Sequence, residues 1–333
     1  MTQEHPFAQY VRILGKGRHG SRGLSEDEAH EAMRMILADE VEPIQLGAFL
    51  MLMRVKEETP EEVAGAVRAA RETLALPSDA PAVDLDWSSY AGKKRQLPWY
   101  LLATLLLAGH GIKVFMHGAS GHTAGRIYTK DVLPALGIPV AKSLDEAARQ
   151  IAAENFAYLD IEYLSPKLHE IIEMRPLLGL RSPVHTMARM LNPFNARYMM
   201  QGIFHPGYRD IHQEAGQALG QPHMVVIKGE GGEIERNPDL PCLIRSVHGG
   251  ELSEEEWPPM FSRRHVRKDE LEVGHLAEVW NGSREDEYGI ASVIGTVAVT
   301  LHMMGRTASR EQAEQQARAM WDARDKERLN TAA

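Results

Sequence analysis

The chain opens with apolar positions spaced for helices. Ser25-Glu26-Asp27-Glu28 reads as a capping box, in which the Ser25 hydroxyl accepts the third backbone N–H and Glu28 reaches back; Ala29, Ala32, Met33, Ile36 and Leu37 then recur on one face. Thr59-Pro60-Glu61-Glu62 repeats the device with proline at the first helical position, where its missing N–H costs nothing, and Val63, Ala64, Val67 and Ala70 form the buried stripe. Between them, residues 44–53 are apolar nearly all round, the pattern of a helix at the centre of a bundle or against a second subunit. Two prolines and small polar residues over 76–81 break the pattern and set a boundary near residue 77.

Beyond that boundary, short apolar runs alternate with helical stretches. Helices are expected over 101–107, 131–136 and 211–219, strands over 112–116, 156–160, 224–227 and 243–244, and a helical tail over 291–325. The alternation predicts an α/β fold with a mostly parallel central sheet in a large domain over 83–330, and ligands at the carboxyl ends of its strands. A small helical bundle domain over 1–76, completed by helices around 165–190, precedes it.

Composition narrows the function classes. At 333 residues, 44% hydrophobic and 25% charged, the chain can bury a core for two units. The single Cys242 leaves no disulfide within the chain and no cysteine cluster for zinc or iron–sulfur, which fits a reducing, cytoplasmic setting. No basic and apolar leader is seen, and no apolar run approaches the roughly 20 residues of a membrane span. A net charge of -9 opposes wholesale attraction to nucleic acid or anionic lipid, although a basic patch still acts within a Debye length of about 8 to 10 Å.

Residues 111–118 form an apolar strand ending in a His117-Gly118 elbow, and the segment Ser89-Tyr90-Ala91-Gly92-Lys93-Lys94-Arg95 is rich in side-chain charge. With Ile44 to Met51, Lys56-Glu57-Glu58-Thr59-Pro60-Glu61-Glu62, Asp131-Val132-Leu133-Pro134, Arg175-Pro176-Leu177-Leu178-Gly179-Leu180-Arg181, Asn192-Pro193 and Lys228-Gly229-Glu230-Gly231-Gly232, they follow one order along most of the chain. In this the sequence resembles the anthranilate phosphoribosyltransferases of glycosyltransferase family 3, the nucleoside phosphorylase-phosphoribosyltransferase class. The resemblance implies a small α domain, a large α/β domain, a homodimer formed through the helical part, and an active site in the cleft between the domains.

That family holds the pyrophosphate of phosphoribosyl pyrophosphate on a Gly-Thr-Gly-Gly-Asp loop followed by Asn-x-Ser-Thr, where glycines let backbone N–H groups approach the anion. Here Gly92 is the one glycine of the segment, and the charge of Lys93, Lys94 and Arg95 stands in for the loop. The elbow has Met116 and Ala119 in place of the family's Lys and Asn, and its phosphate-binding serine segment becomes Gly121-His122-Thr123-Ala124-Gly125-Arg126. The magnesium-binding Asp-Glu pair falls at Ile234 and Glu235, and isoleucine cannot ligate a hard cation. Resemblance thus assigns Gly92, Lys93, Lys94, Arg95, Thr123 and Arg126 to an anion site, His117, Gly118, His169 and Arg175 to an acceptor pocket, and Glu235 to a metal. An Arg suits a carboxylate acceptor because its fork meets two oxygens at once. Each also has an ordinary reading: His117 as a hydrogen-bonded strand end, Arg175 as an interdomain salt bridge, Glu235 as a solvated pair with Arg236.

In its Ser-Tyr-x-Gly-x-Lys/Arg-Lys/Arg-Gln segment the chain resembles most the YbiB-like paralogue group, which binds nucleic acid without evident sequence preference. The expectation is a cytoplasmic homodimer with a degraded phosphoribosyl pyrophosphate and Mg²⁺ site, binding nucleic acid or another polyanion through a basic cleft. Arg12, Lys16, Arg18, Arg22, Arg263, Arg264, His265, Arg267 and Lys268 join that surface if they share a groove, and otherwise form a solvated face. The alternatives are an active pentosyltransferase, with Lys93, Lys94 and Arg126 on the phosphates and Glu235 helping to hold Mg²⁺, and a small-molecule sensor built on His117 and Arg175.

Overall fold

A computed structural model describes residues 3–17, 19–121, 123–266 and 271–329; His122, Arg18, Arg267 and Lys268 lie outside the described residues. Four helices form the N-terminal bundle: α1 (Ala8–Gly15), α2 (Glu26–Leu37), α3 (Pro43–Lys56) and α4 (Pro60–Glu72). Both expected capping boxes close, Ser25 with Glu28 and Thr59 with Glu62. Glu62 also accepts the Leu24 N–H at 2.8 Å, which ties the start of α4 to the entry of α2. The two helices then cross so tightly that a Cβ on Gly65 would sit 2.1 Å from the Glu26 carbonyl oxygen.

The large domain runs β1 (Leu85–Ser89), α5 (Trp99–Gly109), β2 (Val114–Gly118), α6 (Thr129–Ala135), α7 (Leu144–Glu154), β3 (Phe156–Asp160), α8 (Ile161–Leu164), α9 (Pro166–Glu173), α10 (Arg175–Leu178), α11 (Val184–Met187), β4 (Tyr198–Gly202), α12 (Gly207–Ala218) and β5 (His223–Ile227). It closes with β6 (Cys242–His248), β7 (Glu251–Trp257), α13 (Gly274–Asn281), α14 (Glu287–Met303) and α15 (Arg310–Asp322). The seven strands lie in the order β3-β2-β1-β4-β5-β6-β7; β1 to β5 pair in parallel, and β6 and β7 add an antiparallel edge.

Strand side chains alternate between two cores, as the period of two demands. Leu85, Trp87, Val114, Met116, Phe156, Tyr158 and Val225 face α5 and α14, both buried nearly all round. Phe115, Ala157, Leu159, Met199, Met224 and Val226 face the other way, into a cluster continuous with the helical bundle, and α11 packs on both α4 and α9. Because β2 and β4 lie on opposite sides of β1, the connections leaving β1 and β4 diverge at the carboxyl edge, the ordinary place for a ligand crevice. Among the described residues no helix is long and apolar enough to cross a membrane.

Candidate anion-binding cleft

The chain leaves β1 through Tyr90-Ala91-Gly92. Gly92 takes φ 67°, and a Cβ there would meet the Tyr128 ring at 2.9 Å, so both backbone and space require glycine. The turn is clamped from outside: Arg126 donates to the carbonyls of Ala91 and Gly92, each at 2.9 Å, and Lys93 and Ile127 exchange backbone hydrogen bonds of 2.8 and 2.7 Å. From inside, one oxygen of Glu233 accepts the N–H groups of both Ala91 and Gly92 at 2.6 Å. These two converging donors form a small anion nest, and the anion in it is a side chain of the protein itself. Glu233 is fully buried; burial raises its carboxyl pKa, while Arg189 and the two N–H bonds pull it back.

Several expected roles are corrected by burial. Lys93 does not stand at a cleft mouth: it is 1% exposed, and its ammonium meets Glu235 Oε1 at 2.5 Å. The other Glu235 oxygen accepts the Tyr100 N–H at 3.0 Å, so this carboxylate is neither solvated nor paired with Arg236. Arg236 is itself buried, paired with Glu314 at 2.8 Å and lying over the Trp257 ring. Ile234 is fully buried, and no group of three potential metal ligands assembles among the described residues, so these positions do not fit Mg²⁺. His117 has no exposed surface. Its Nδ1 meets the Tyr90 hydroxyl at 2.9 Å and its Nε2 meets Asp86 at 3.3 Å, while a Cβ on Gly118 would strike the Ser89 carbonyl at 2.0 Å. The elbow is therefore a packing device, not the wall of an acceptor pocket.

Lys94 and Arg95 remain exposed. His169, on α9, keeps its Nδ1 buried without a hydrogen-bond partner among the described residues and does not line the cleft. Thr123 is bonded by two arginines: its hydroxyl accepts from Arg175 at 2.5 Å and Arg181 at 3.1 Å. Of the other basic residues, Arg12 pairs with Glu4 and Arg22 with Glu28.

The cleft lies between the bundle and the carboxyl edge of the sheet, with a volume of about 270 Å³. Arg54 reaches it from the end of α3 and donates to Tyr208 of α12 at 2.6 Å. Arg126, Arg181 and Arg189 enter from the opposite side; Arg189 is buried, donates to the Gly232 carbonyl at 3.2 Å and lies over the Tyr90 ring. Burial, then Arg126, Arg189 and Arg175, lowers the Arg181 pKa to about 10, which leaves it charged at neutral pH. Burial pushes His185 and His212 down to about 3, so both are neutral there. Arg54, Arg126, Arg181 and Arg189 form no ion pair among the described residues, and the one carboxyl in the lining, Glu58, is buried with a raised pKa. A cavity with four guanidinium groups and so little countercharge attracts anions.

Arg54 and Arg189 were not singled out from the sequence. A signal existed: Arg181, His185 and Arg189 recur at intervals of four, the spacing of one helix face, although α11 itself begins only at Val184.

Residues 9–74 match the family model described as glycosyl transferase family, helical bundle domain, and residues 100–323 match the glycosyl transferase family a/b domain. Similar proteins include an uncharacterized protein of Aquifex aeolicus, 29% identical over 318 residues, covering 93% of this chain and 96% of the relative. The anthranilate phosphoribosyltransferase of Oleidesulfovibrio alaskensis is 30% identical over 266 residues, 76% of this chain and 80% of that one. Among solved structures, the Thermus thermophilus anthranilate phosphoribosyltransferase aligns at TM-score 0.75 and 21% identity over 96% of this chain and 94% of its own. The Saccharomyces cerevisiae enzyme in complex with PRPP and Mg aligns at TM-score 0.75 and 17% identity over 95% and 93%; at these identities the likeness concerns the fold.

Proposed function

We propose that this chain, which belongs to the glycosyl transferase family of those two domains and is a homologue of the anthranilate phosphoribosyltransferases, binds nucleic acid or another polyanion and does not transfer phosphoribosyl groups. The observation that carries the reading is a cleft lined by four arginines against a single lining carboxyl, Glu58, with the buried Glu233 acting on Arg189, in a chain whose net charge is -9. A guanidinium meets two phosphate oxygens at once, and contacts made only to phosphates carry no base readout. Phe204 supports a polymer over a single ion: 53% exposed, it lines the arginine cleft, the adjoining hollow of Lys94 and Arg95, and the larger hollow beyond, so the cations follow one another along it.

Loss of transfer is supported by chemistry. The nest that could hold a pyrophosphate is filled by Glu233, and the carboxylate left at the metal position is committed to Lys93 and Tyr100. The reading places the chain beside the YbiB-like paralogues. It includes a homodimer through α3, where Ile44 and Val55 stand 82% and 79% exposed.

Fluorescence anisotropy with a labelled oligonucleotide tests it. Affinity should fall linearly in log salt, with a slope of roughly -0.7 to -0.9 per phosphate neutralised, and an Arg54→Ala/Arg181→Ala variant should flatten that slope by about 1.5. No binding at low salt, or steady turnover of anthranilate and phosphoribosyl pyrophosphate with Mg²⁺, would overturn it.

A further inference from the structure

Beyond Phe204 from the arginine cleft lies the larger hollow, with a volume of about 450 Å³, within the range of small-molecule sites. Its walls come from the exit of β5, the chain leading into β6, Arg264 and His265, and the first turn of α14. Arg95, Lys228 and Arg264 supply its cations, and Phe204, Leu240 and Pro241 give it an apolar side.

The charges in this lining are not balanced against each other. Asp239 is paired with His265, accepting from its N–H at 2.9 Å and from its Nδ1 at 2.7 Å, whereas Glu230 Oε2 accepts only from the neutral Asn237 amide at 2.8 Å, so the lining sets three cations against one carboxyl without a cationic partner. His265 also reaches Glu287 at 3.3 Å, and these two carboxylates raise its pKa against the effect of burial, so its charge is matched within the protein. Arg95, Lys228 and Arg264 have no such partner among the described residues.

The hollow also holds a donor with nothing to bond. Tyr288 is 6% exposed, and its hydroxyl is buried with no hydrogen-bond partner among the described residues. Burial and the neighbouring acids Glu235, Glu230 and Asp239 keep that phenol protonated. His265 braces the ring edge-on at 5.7 Å and is braced in turn by Phe261 at 4.6 Å. An unmade hydrogen bond of a buried hydroxyl is a cost that a ligand acceptor would relieve.

We propose that this hollow binds a small organic phosphate of the nucleotide class, with Arg95, Lys228 and Arg264 on the phosphate oxygens, the Tyr288 hydroxyl donating to the ligand, and Phe204 and Leu240 against its base. Three cations in one lining suit a multiply charged phosphate better than a carboxylate, and an exposed aromatic ring in the same lining suits a flat heterocycle. The site meets the polyanion groove at Arg95 and Phe204, and its own part is Lys228, Arg264 and Tyr288, none of which lines the cleft of Arg54 and Arg181.

Isothermal titration of the full-length protein with ADP, inorganic phosphate and a labelled oligonucleotide, without added metal, separates the possibilities. ADP should bind saturably. An Arg95→Ala/Arg264→Ala variant should weaken it about tenfold or more, Tyr288→Phe should weaken it less, and Arg54→Ala/Arg181→Ala should leave it unchanged. The Arg95 and Arg264 side chains are exposed, so unchanged unfolding midpoints in their variant will confirm that the fold is intact. Absence of saturable ADP binding overturns the proposal, as does ADP binding that survives the Arg95/Arg264 variant. Inorganic phosphate binding as tightly as ADP overturns the nucleotide assignment. If the oligonucleotide binds and ADP does not, the hollow is only a stretch of the polymer groove, and this inference fails while the polyanion reading stands.

Discussion

Replacing Lys93 by methionine is the sharpest test of the buried Lys93–Glu235 pair. The substitution keeps an unbranched side chain out to Cε and removes the charged end, leaving Glu235, fully buried, with only the Tyr100 N–H as a partner. Removing one member of a buried pair costs about 3–5 kcal/mol because the survivor is an uncompensated charge. Whole-domain stabilities run at about 5–15 kcal/mol, so the loss is roughly a fifth or more of the total. Burial already raises the Glu235 pKa and Lys93 opposes that rise, so in Lys93→Met the carboxyl titrates higher still. The native variant then holds a proton that the unfolded chain releases above the ordinary Glu value near 4.3, so its deficit grows as pH rises through that window and shrinks toward acid. Lys93→Met/Glu235→Gln keeps an acceptor for Tyr100 with no charge and should recover most of the loss. Urea unfolding followed by circular dichroism at neutral and mildly acid pH measures all three. A single-variant loss below about 1 kcal/mol, or a double variant whose loss is the sum of the singles, refutes the buried-pair reasoning. At urea-free conditions, where the variant is folded, its oligonucleotide salt slope should match wild type, because Lys93 touches no phosphate.

The neutral buried His212 predicts acid sensitivity: its native pKa near 3 lies below the ordinary value of 6.5, so stability is complete above the unfolded value and falls as pH drops below it, at about 1.4 kcal/mol per pH unit. His212→Leu should flatten the stability profile by that slope, and equal slopes in urea titrations would count against it. Gly65→Ala should destabilise by roughly 1–3 kcal/mol through its clash with the Glu26 carbonyl, whereas Gly47→Ala, with nothing within 4 Å, should be neutral or stabilise by up to about 1 kcal/mol; thermal unfolding compares them. The Cys242 thiol, buried and pushed up to about 11, should react slowly with a thiol reagent in the native protein and at once in urea; fast native labelling would show that its pocket opens.

Periodic and local features of the fold were legible in the sequence. The two capping boxes are complete within four residues each, and β3 spans the predicted 156–160. Strands that violate hydrophobic patterning were not found. In β1, Asp86 and Ser88 are buried among Leu85 and Trp87, and four of the seven residues of β7 are glutamate on an exposed edge, where charge guards against pairing with other chains. The site was harder to read because charge in a sequence says nothing of burial. Lys93 looks like its neighbours Lys94 and Arg95 until Glu235, 142 positions away, comes within 2.5 Å. Glu233, which fills the nest, is as far from Ala91.

The cleft arginines raise the same question for the chain as a whole, since a net charge of -9 argues against polyanions. The two are reconciled by range. At physiological salt, charges act over about 8 Å, while the acidic strand β7 lies three strand spacings from β4, roughly 14 Å. Acids on β7 are therefore screened from the cleft, and its potential answers to the groups that line it, Arg54, Arg126, Arg181 and Arg189 against Glu58. Glu251→Gln/Glu256→Gln raises the net charge by two without touching the lining. Oligonucleotide affinity should be unchanged at about 0.15 M salt and rise only when the Debye length stretches to about 30 Å near 0.01 M. A gain at physiological salt as large as at low salt would mean that binding follows the charge of the whole protein and not the arginines of the cleft.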